Sequence, residues 1–584
     1  MAVAAMLGNQ TPIVVDDADR VEAAALPAWL YELAGAGGSS AQDGRQPERS
    51  ATPADAVGEV AWTPPIPPDA VAKHIADPRD ARSAAEAELG RTERETDRTY
   101  ARSLIGYLDV VLRPNVVRLS LADVVRRAMA NNYVIRISSY NPAIETTRIV
   151  EAEAAFDAAF FMSMLKNIQD TPTGSELRAS DVNSFNLTGG VRKLLPSGAT
   201  ATVSSSLDRL STSLSFQQIN PEYRNNLVFE IRQPLARGFG LDFNRSAILV
   251  ARNNRLISQE AFKRQVRQTL ADVESAYWRL VQQRREVTIQ ALLLASFEQI
   301  YDYLDRRKEF DTYRVQLSDT KARLEAAKAD FIRLVNLVRN SEDRLIGLMN
   351  DGSINLAGDV EIMPTDFPAL RPVVIDRLAA AQTALDNRSE ITEARLRIKN
   401  AQIAVGRAEN LALPRVDVVF RYTIDGLGVS ADDAFDQVTQ HDFTEYFVGV
   451  EFEVPIGNRG ARAAEQRERL LHAQAMASLK NTFEQVILDV NLRTREIDTS
   501  FKQIVPSYNS AEASDEQVGA IIARAERKDF NTLSNELGAR QSLAANRQSL
   551  LTAIVNYGIA AVELERAKGT LLEYNSVIAE APGE

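Results

Sequence analysis

Two stretches of this chain repeat the same order of events: a strand, a proline, a glycine turn and then a long helix. In Asn225–Gly240, NNLVFEIRQPLARGFG, Leu227, Phe229 and Ile231 alternate with Val228, Glu230 and Arg232, the period-two pattern of a strand. Pro234 ends the ladder because it has no N–H to donate. Gly238 and Gly240 turn the backbone, and an amphipathic segment opens near Asn244. Tyr446–Gly460, YFVGVEFEVPIGNRG, keeps that order: Tyr446, Val448, Val450, Phe452 and Val454 share one face, Pro455 stops the strand, and Gly457 and Gly460 lead into a helix. A junction of this kind occurring twice marks an internal duplication.

The helices that leave these junctions are too long for a globular domain. Phe262, Val266, Leu270, Val273, Tyr277 and Leu280 recur every three or four residues, and Val287, Ala291 and Leu294 continue the stripe. From Asn244 to Phe310 a helix would span roughly 100 Å at 1.5 Å per residue. The second copy has the same stripe in Phe483, Ile487, Val490, Ile497, Phe501 and Ile504, with a kink expected at Pro506. Turn-backs are expected at Phe310–Ser318 and Asp529–Ser534, after which each helix returns.

The rest of the chain falls into place around the two copies. Residues 1–113 read as an extension or tether, first of linker-like composition (AGAGGSSAQDG, TPPIPPDA) and then charged and helical over Pro78–Leu112. Residues 114–350 form the first repeat, 351–372 a linker with three prolines, 373–575 the second repeat and 576–584 a tail. The first repeat opens at Leu119 with Ser120 as N-cap, and its helix is expected to break at Asn141-Pro142. Asn131 lies 103 residues before Pro234 and the matching Asn387 lies 68 before Pro455, so the first copy is longer by 35. A hairpin over Ser184–Leu210, turning at Pro196-Ser197-Gly198, accounts for the difference. In the second copy Leu413–Thr423 is a strand and Asp425–Glu445 an acidic loop.

Composition removes several function classes. The 584 residues carry a net charge of -12, against nucleic-acid binding, and no cysteine, which rules out disulfides, thiolate metal sites and a cysteine nucleophile. His74, His441 and His472 are far apart, and no metal site, cofactor site or catalytic constellation is expected. The GFG turn resembles a dinucleotide fingerprint, but the third glycine would fall at Phe243, and GNRG has the wrong spacing. Glu451 and Glu453, two apart on one strand, read as a solvated or lumen-lining face and not as an acid–base pair. No run approaches the ~18 apolar residues of a membrane helix, which leaves a β-barrel open. Met1–Gly8 is apolar, but no basic region precedes it and Asp16, Asp17 and Asp19 follow, so the opening does not read as a signal peptide. An exported chain would carry its signal upstream of Met1 or within the extension.

With four to six strands, one chain cannot close a barrel of at least about eight, but several chains can. Over about residues 115–575 the sequence resembles the TolC-like outer membrane efflux proteins. The resemblance is carried by LSLADVVRRAMANN, the NRSEI of Asn387–Ile391, QPLARGFG with VPIGNRG, and YGIAAVELERAKGTLL of Tyr557–Leu572. It implies a mainly α fold with membrane β structure: long antiparallel helical hairpins forming a periplasmic tunnel, and two strand hairpins per protomer in a shared trimeric barrel. It also implies a homotrimer in the outer membrane of a Gram-negative-type bacterium, in contact with outer-membrane lipid. Such a channel is a passive exit duct for small molecules or exported polypeptide. It would work with a periplasmic adaptor (membrane fusion) protein and an inner-membrane transporter, in a tripartite efflux pump or type I secretion system, and would be no enzyme. A soluble structural coiled-coil scaffold is the other reading.

Residue roles follow from that likeness. Pro234, Gly238, Gly240, Pro455, Gly457 and Gly460 are expected at the strand–helix junctions, with the glycines including positive-φ positions. Asp311 and Asp529 are expected at a periplasmic gate, and Leu317, Ser318, Leu533 and Ser534 at adaptor-contact tips. The family's helix tips often carry a Val-Gly-Leu type sequence, where this chain has Val315-Gln316-Leu317. Val448, Val450 and Phe452 should face lipid, and Gly449, Glu451 and Glu453 the pore.

Overall fold

The two copies fold alike, each as a helical entrance, a set of strands and a very long helical hairpin. The computed structural model describes residues 66–92, 94–175, 178–214, 216–307, 314–354, 358, 360–524 and 530–577, all within one unit, Pro64–Glu584. Among the described residues three helices come first: α1 (Pro68–His74), α2 (Pro78–Arg91) and α3 (Glu95–Val111). Then follow β1 (Asn115–Leu119), α4 (Leu121–Asn131), α5 (Tyr133–Glu153), the strands β2 (Ala159–Asp170), β3 (Asp181–Leu194), β4 (Thr200–Thr212) and β5 (Glu222–Pro234), and the short α6 (Leu241–Asn244). The first long hairpin is α7 (Ser246–Arg306) with α8 (Arg314–Met349). After β6 (Val360–Pro364), the second copy runs α9 (Arg377–Asn387), α10 (Ser389–Leu411), β7 (Arg415–Gly428), α11 (Ala431–Gln440), β8 (Phe443–Glu453), α12 (Arg459–Arg524), α13 (Phe530–Lys568) and α14 (Leu571–Tyr574).

Local rules set the element ends. Ser120 caps α4 in a capping box with Asp123. The entrance helix is divided at Asn132, whose side chain accepts from the backbone N–H groups of Val134 and Ile135. It does not break at Pro142, which α5 carries in its interior. Pro506 likewise lies inside an unbroken α12. The acidic loop expected at Asp425–Glu445 is shorter than that: β7 runs on to Gly428, and α11 has its own capping box from Ser430 and Asp433.

The stripe of α7 is the spine of the core. Val266, Val273, Tyr277, Leu280, Val287 and Leu294 are fully buried. From Val273 onward the stripe shares one cluster with Leu345 and Met349 of α8 and Leu551 and Ile554 of α13, while Val266 packs with Ile135 and Phe262. Because α7 packs on both α8 and α13, and α13 on α12, the two hairpins lie side by side. At 61 and 66 residues, α7 and α12 are roughly 90 and 100 Å long.

The described part of the extension is not a free tether. Ile75, Leu104, Leu108 and Val111 enter the core of the long helices. His74 hydrogen-bonds Glu512 of α12 at 2.8 Å, and Lys73 pairs with Asp515 at 3.0 Å. A parallel ribbon, β1 on β6, ties the entrance of the first repeat to that of the second, with Val117 opposite Ile362. Beneath it Arg284 is fully buried and bonds Asp77 and Glu361. Glu361 also takes both Arg79 and the backbone N–H of Arg113. Burial pushes the Glu361 carboxyl up, but these donors outweigh it and hold the group below its ordinary value.

Candidate functional site

The six long strands form one antiparallel sheet in the order β2-β3-β4-β5-β7-β8. The resemblance implied two hairpins. The hairpin read at Ser184–Leu210 is inserted as β3–β4 beside β2 and β5, so the sheet has six strands. Directly opposed residues share a face, so the register sorts the side chains. Phe160, Val191, Val203, Phe229, Tyr422 and Tyr446 each occupy one face, and so do Met164, Leu187, Leu207, Phe420, Val448 and Val450. Aromatic rings continue across it: Phe229 stacks on Tyr422 with centroids 6.3 Å apart, and Tyr422 lies 4.8 Å from Tyr446.

The opposite face is polar and ion-paired. Arg232 reaches Glu451 at 2.5 Å and Asp417 at 3.5 Å, Arg415 bonds Asp417 at 2.9 Å, and Arg421 bonds Glu230 at 2.6 Å. Ser206 donates to Asp208 and Asn226 on the same face. The register places Val448, Val450 and Phe452 on the apolar face, and Gly449, Glu451 and Glu453 on the polar one. A sheet with one apolar side and one hydrated side is what a barrel wall needs between lipid and a water-filled lumen. At the strand ends farthest from the long helices, α11 lies against the apolar face over Ile424. Gly426 permits this, since a Cβ there would stand 2.0 Å from the Ala434 carbonyl oxygen.

At the other end of the sheet the junctions hold the expected residues, with one correction. Pro234 is the last residue of β5, and Gly238, Gly240 and Gly457 have φ of 87°, 106° and 84°. Gly460 is already helical within α12, and the left-handed residue beside it is Asn458, with φ 41°. Side chains that the sequence reading missed fasten these turns. Asn410 accepts from Gly238 N–H at 2.7 Å and donates to the Phe239 carbonyl. Asn244 donates to the carbonyls of Gly238 and Gly240, and Asn458 to that of Ala412. For Asn244 and Asn458 the available signal was an asparagine within a few residues of a turn glycine, whereas Asn410 lies 172 positions from Gly238 and carried none.

At the hairpin tips, Asp311 and Asp529 lie outside the described residues. Helix α8 begins at Arg314 and α13 at Phe530, so Leu317 and Ser318, and likewise Leu533 and Ser534, sit in the opening turns of helices and not in the turn-backs expected there. Ser318 is exposed, Leu317 is half-buried against the core and Leu533 is only 2% exposed. Ser534 is half-buried and lines a cleft with Gln517, Ile521, Arg524, Asn535 and Gly538. Leu533 belongs to the main hydrophobic core and Leu317 packs against it.

Among the described residues no group of acidic or histidine side chains is placed to hold a metal, and no helix is long and apolar enough to cross a membrane. No family model and no curated protein matches the sequence. Solved structures do match. A membrane protein from Pseudomonas aeruginosa is 18% identical with a TM-score of 0.58, over 77% of this chain and 93% of that one. The CmeC outer membrane channel of Campylobacter jejuni is 14% identical with a TM-score of 0.58, over 77% and 86%. The open state of the MtrE outer membrane channel of Neisseria gonorrhoeae is 16% identical with a TM-score of 0.55, over 77% and 89%. Long helical hairpins on a two-faced antiparallel sheet are thus shared over three quarters of the chain, and its fold is that of the TolC-like outer membrane channels.

Proposed function

We propose that this chain is an outer-membrane channel, the passive exit duct of a tripartite export machine in a Gram-negative-type bacterium. The observation that carries the reading is the division of the sheet. An apolar face of Phe, Val, Leu and Tyr side chains meets lipid, and the Arg232–Glu451–Asp417 and Arg421–Glu230 pairs line the water. Six strands cannot close alone, so the working unit is an oligomer, taken here as a homotrimer. The helices carry apolar residues that need the same partners: Leu470, Leu488 and Leu492 on α12 and Ile137 and Tyr140 on α5 are about half exposed or more. No catalytic residue is assigned; a transporter in the inner membrane supplies the energy and a periplasmic adaptor joins it to the duct.

The tips are assigned to docking and gating. Ser318 and Ser534 form the surface offered to the adaptor, Leu317 borders it, and the buried Leu533 supports it from beneath. Asp311 and Asp529, repeated threefold, would make carboxylate rings at the periplasmic mouth. In planar bilayers, Asp311→Ala with Asp529→Ala should raise conductance or weaken block by multivalent cations. Unchanged conductance and block in assembled channels would remove both residues from the gate. The channel reading itself is tested by membrane fractionation and by heat-modifiable migration in detergent gels. It predicts an outer-membrane oligomer that dissociates on heating, and a soluble chain without heat-dependent migration would overturn it.

A further inference from the structure

The sheet has two open edges, β2 and β8, and both are long, regular and free of proline. Such edges invite pairing unless they are blunted. On β2 the apolar face carries Phe160, Met162 and Met164, and on β8 it carries Val448, Val450 and Phe452, all of them more than 60% exposed.

The register says how the edges meet. Stepping directly across the sheet from Ala159, the first residue of β2, one passes Arg192, Thr202, Glu230 and Arg421 and arrives at Phe447. Phe447 is six residues short of Glu453, where β8 ends. The strand ends on the helix side therefore drift by six residues over one copy. For the next copy to continue a level rim, its Ala159 must lie beside Glu453. That register also matches the faces, since it opposes Phe160 to Phe452, Met162 to Val450 and Met164 to Val448. On the polar face it sets Leu165 against Phe447 and Asn167 against Glu445. The drift climbs about 20 Å over about 29 Å of sheet width, a tilt of roughly 35°, which is within the range of closed barrels.

We infer that β2 of one copy pairs with β8 of the next in this register, and that three copies close an eighteen-stranded barrel, not one of four strands per copy. The copy number rests on the proposed trimeric channel; the seam rests on the sheet. Opposite backbones would be about 35 Å apart, against about 24 Å for twelve strands. The wider figure matches a tube of twelve long helices spaced by about 9 Å, which is roughly 35 Å across. The occupant of each edge is thus a second copy of this chain, and the duct has the width of a large porin and passes bulky hydrated cargo.

The absence of native cysteine makes the seam directly testable. Opposed residues of antiparallel strands lie about 4.5–5.5 Å apart, within disulfide range. The full-length double variant Asn167→Cys/Glu445→Cys should therefore give covalent dimers and trimers in more than half of the chains on a non-reducing gel. Ser163→Cys/Glu445→Cys, four residues out of register, should give less than a tenth of that yield. Assembled, conducting trimers that do not crosslink at Asn167–Glu445 would overturn the seam. So would crosslinking of an Asp208→Cys/Glu445→Cys variant, because it would join β8 to β4 and leave β2 and β3 outside the barrel. A ladder ending at two chains would overturn the count of eighteen. Absence of any oligomer would instead overturn the channel reading on which the count rests.

Discussion

Asp77 accepts two hydrogen bonds from the buried guanidinium of Arg284, Nε to Oδ2 and Nη2 to Oδ1, both 3.2 Å long, across 207 positions of sequence. It thereby fixes the start of α2, whose N-cap it also is, to the long helix α7. Asp77→Ala leaves Arg284 with Glu361, the Ile362 carbonyl and the more distant Glu342, and should cost about 3 kcal/mol. The expected readout is faster proteolysis within α2 and α3 while α7 and α13 stay protected. Unchanged cleavage would mean that apolar contacts of Leu104 and Leu108 hold the segment by themselves.

The two faces of β8 should respond differently to charge. Val450→Arg places a guanidinium in lipid and should cost roughly 2–4 kcal/mol near the midplane. Glu451→Gln gives up ion pairs with Arg232 and Arg415 on a hydrated face and should cost less than about 1 kcal/mol. Trimer melting in detergent separates the two. Equal losses would contradict the assignment of lipid and lumen faces.

The junction glycines should likewise divide. Gly240→Val forces a β-branched side chain into φ 106° and should impair assembly strongly. Gly460→Val meets a helical backbone with open space around its Cβ and should be tolerated within about 1 kcal/mol. Trimer yield is the measurement, and equal defects would remove the distinction.

That division also marks what was legible in the sequence. The duplicated order of strand, proline, glycine and helix was visible because proline and glycine act locally, and the helical stripes because burial on one face imposes a period. The β3–β4 hairpin was visible as extra length. That the entrance helix divides at Asn132 and carries Pro142 inside α5 was not visible, because a proline in a helix interior ordinarily marks the break. Nor was the left-handed Asn458 beside Gly460, since either residue can take that conformation. The docking of α1–α3 was hidden for another reason: Asp77, Arg79, Arg284 and Glu361 are ordinary charges in sequence and become a site only when the fold assembles them.

A buried carboxyl should make stability depend on pH. Glu274 is 1% exposed, its side chain accepts from Asn575 at 2.7 Å, and burial pushes its carboxyl up to about 7. With the folded value above the unfolded one, its contribution is intact below about pH 4.5 and is lost as pH rises through 7. Glu274→Gln should therefore match the parent near pH 4 and exceed its melting temperature at pH 8, by an amount equivalent to at most about 3 kcal/mol. A difference that does not change with pH would show that Glu274 is charged in the folded state.

The central claim, that copies of this chain enclose a water-filled path through an outer membrane, is tested most directly by single-channel recording of the purified full-length assembly in planar bilayers. The account predicts discrete conductance steps from a heat-dissociable trimer, lost when that trimer is dissociated before addition. A stable, folded assembly that inserts into lipid and yet never conducts, including with Asp311→Ala and Asp529→Ala together, would contradict it.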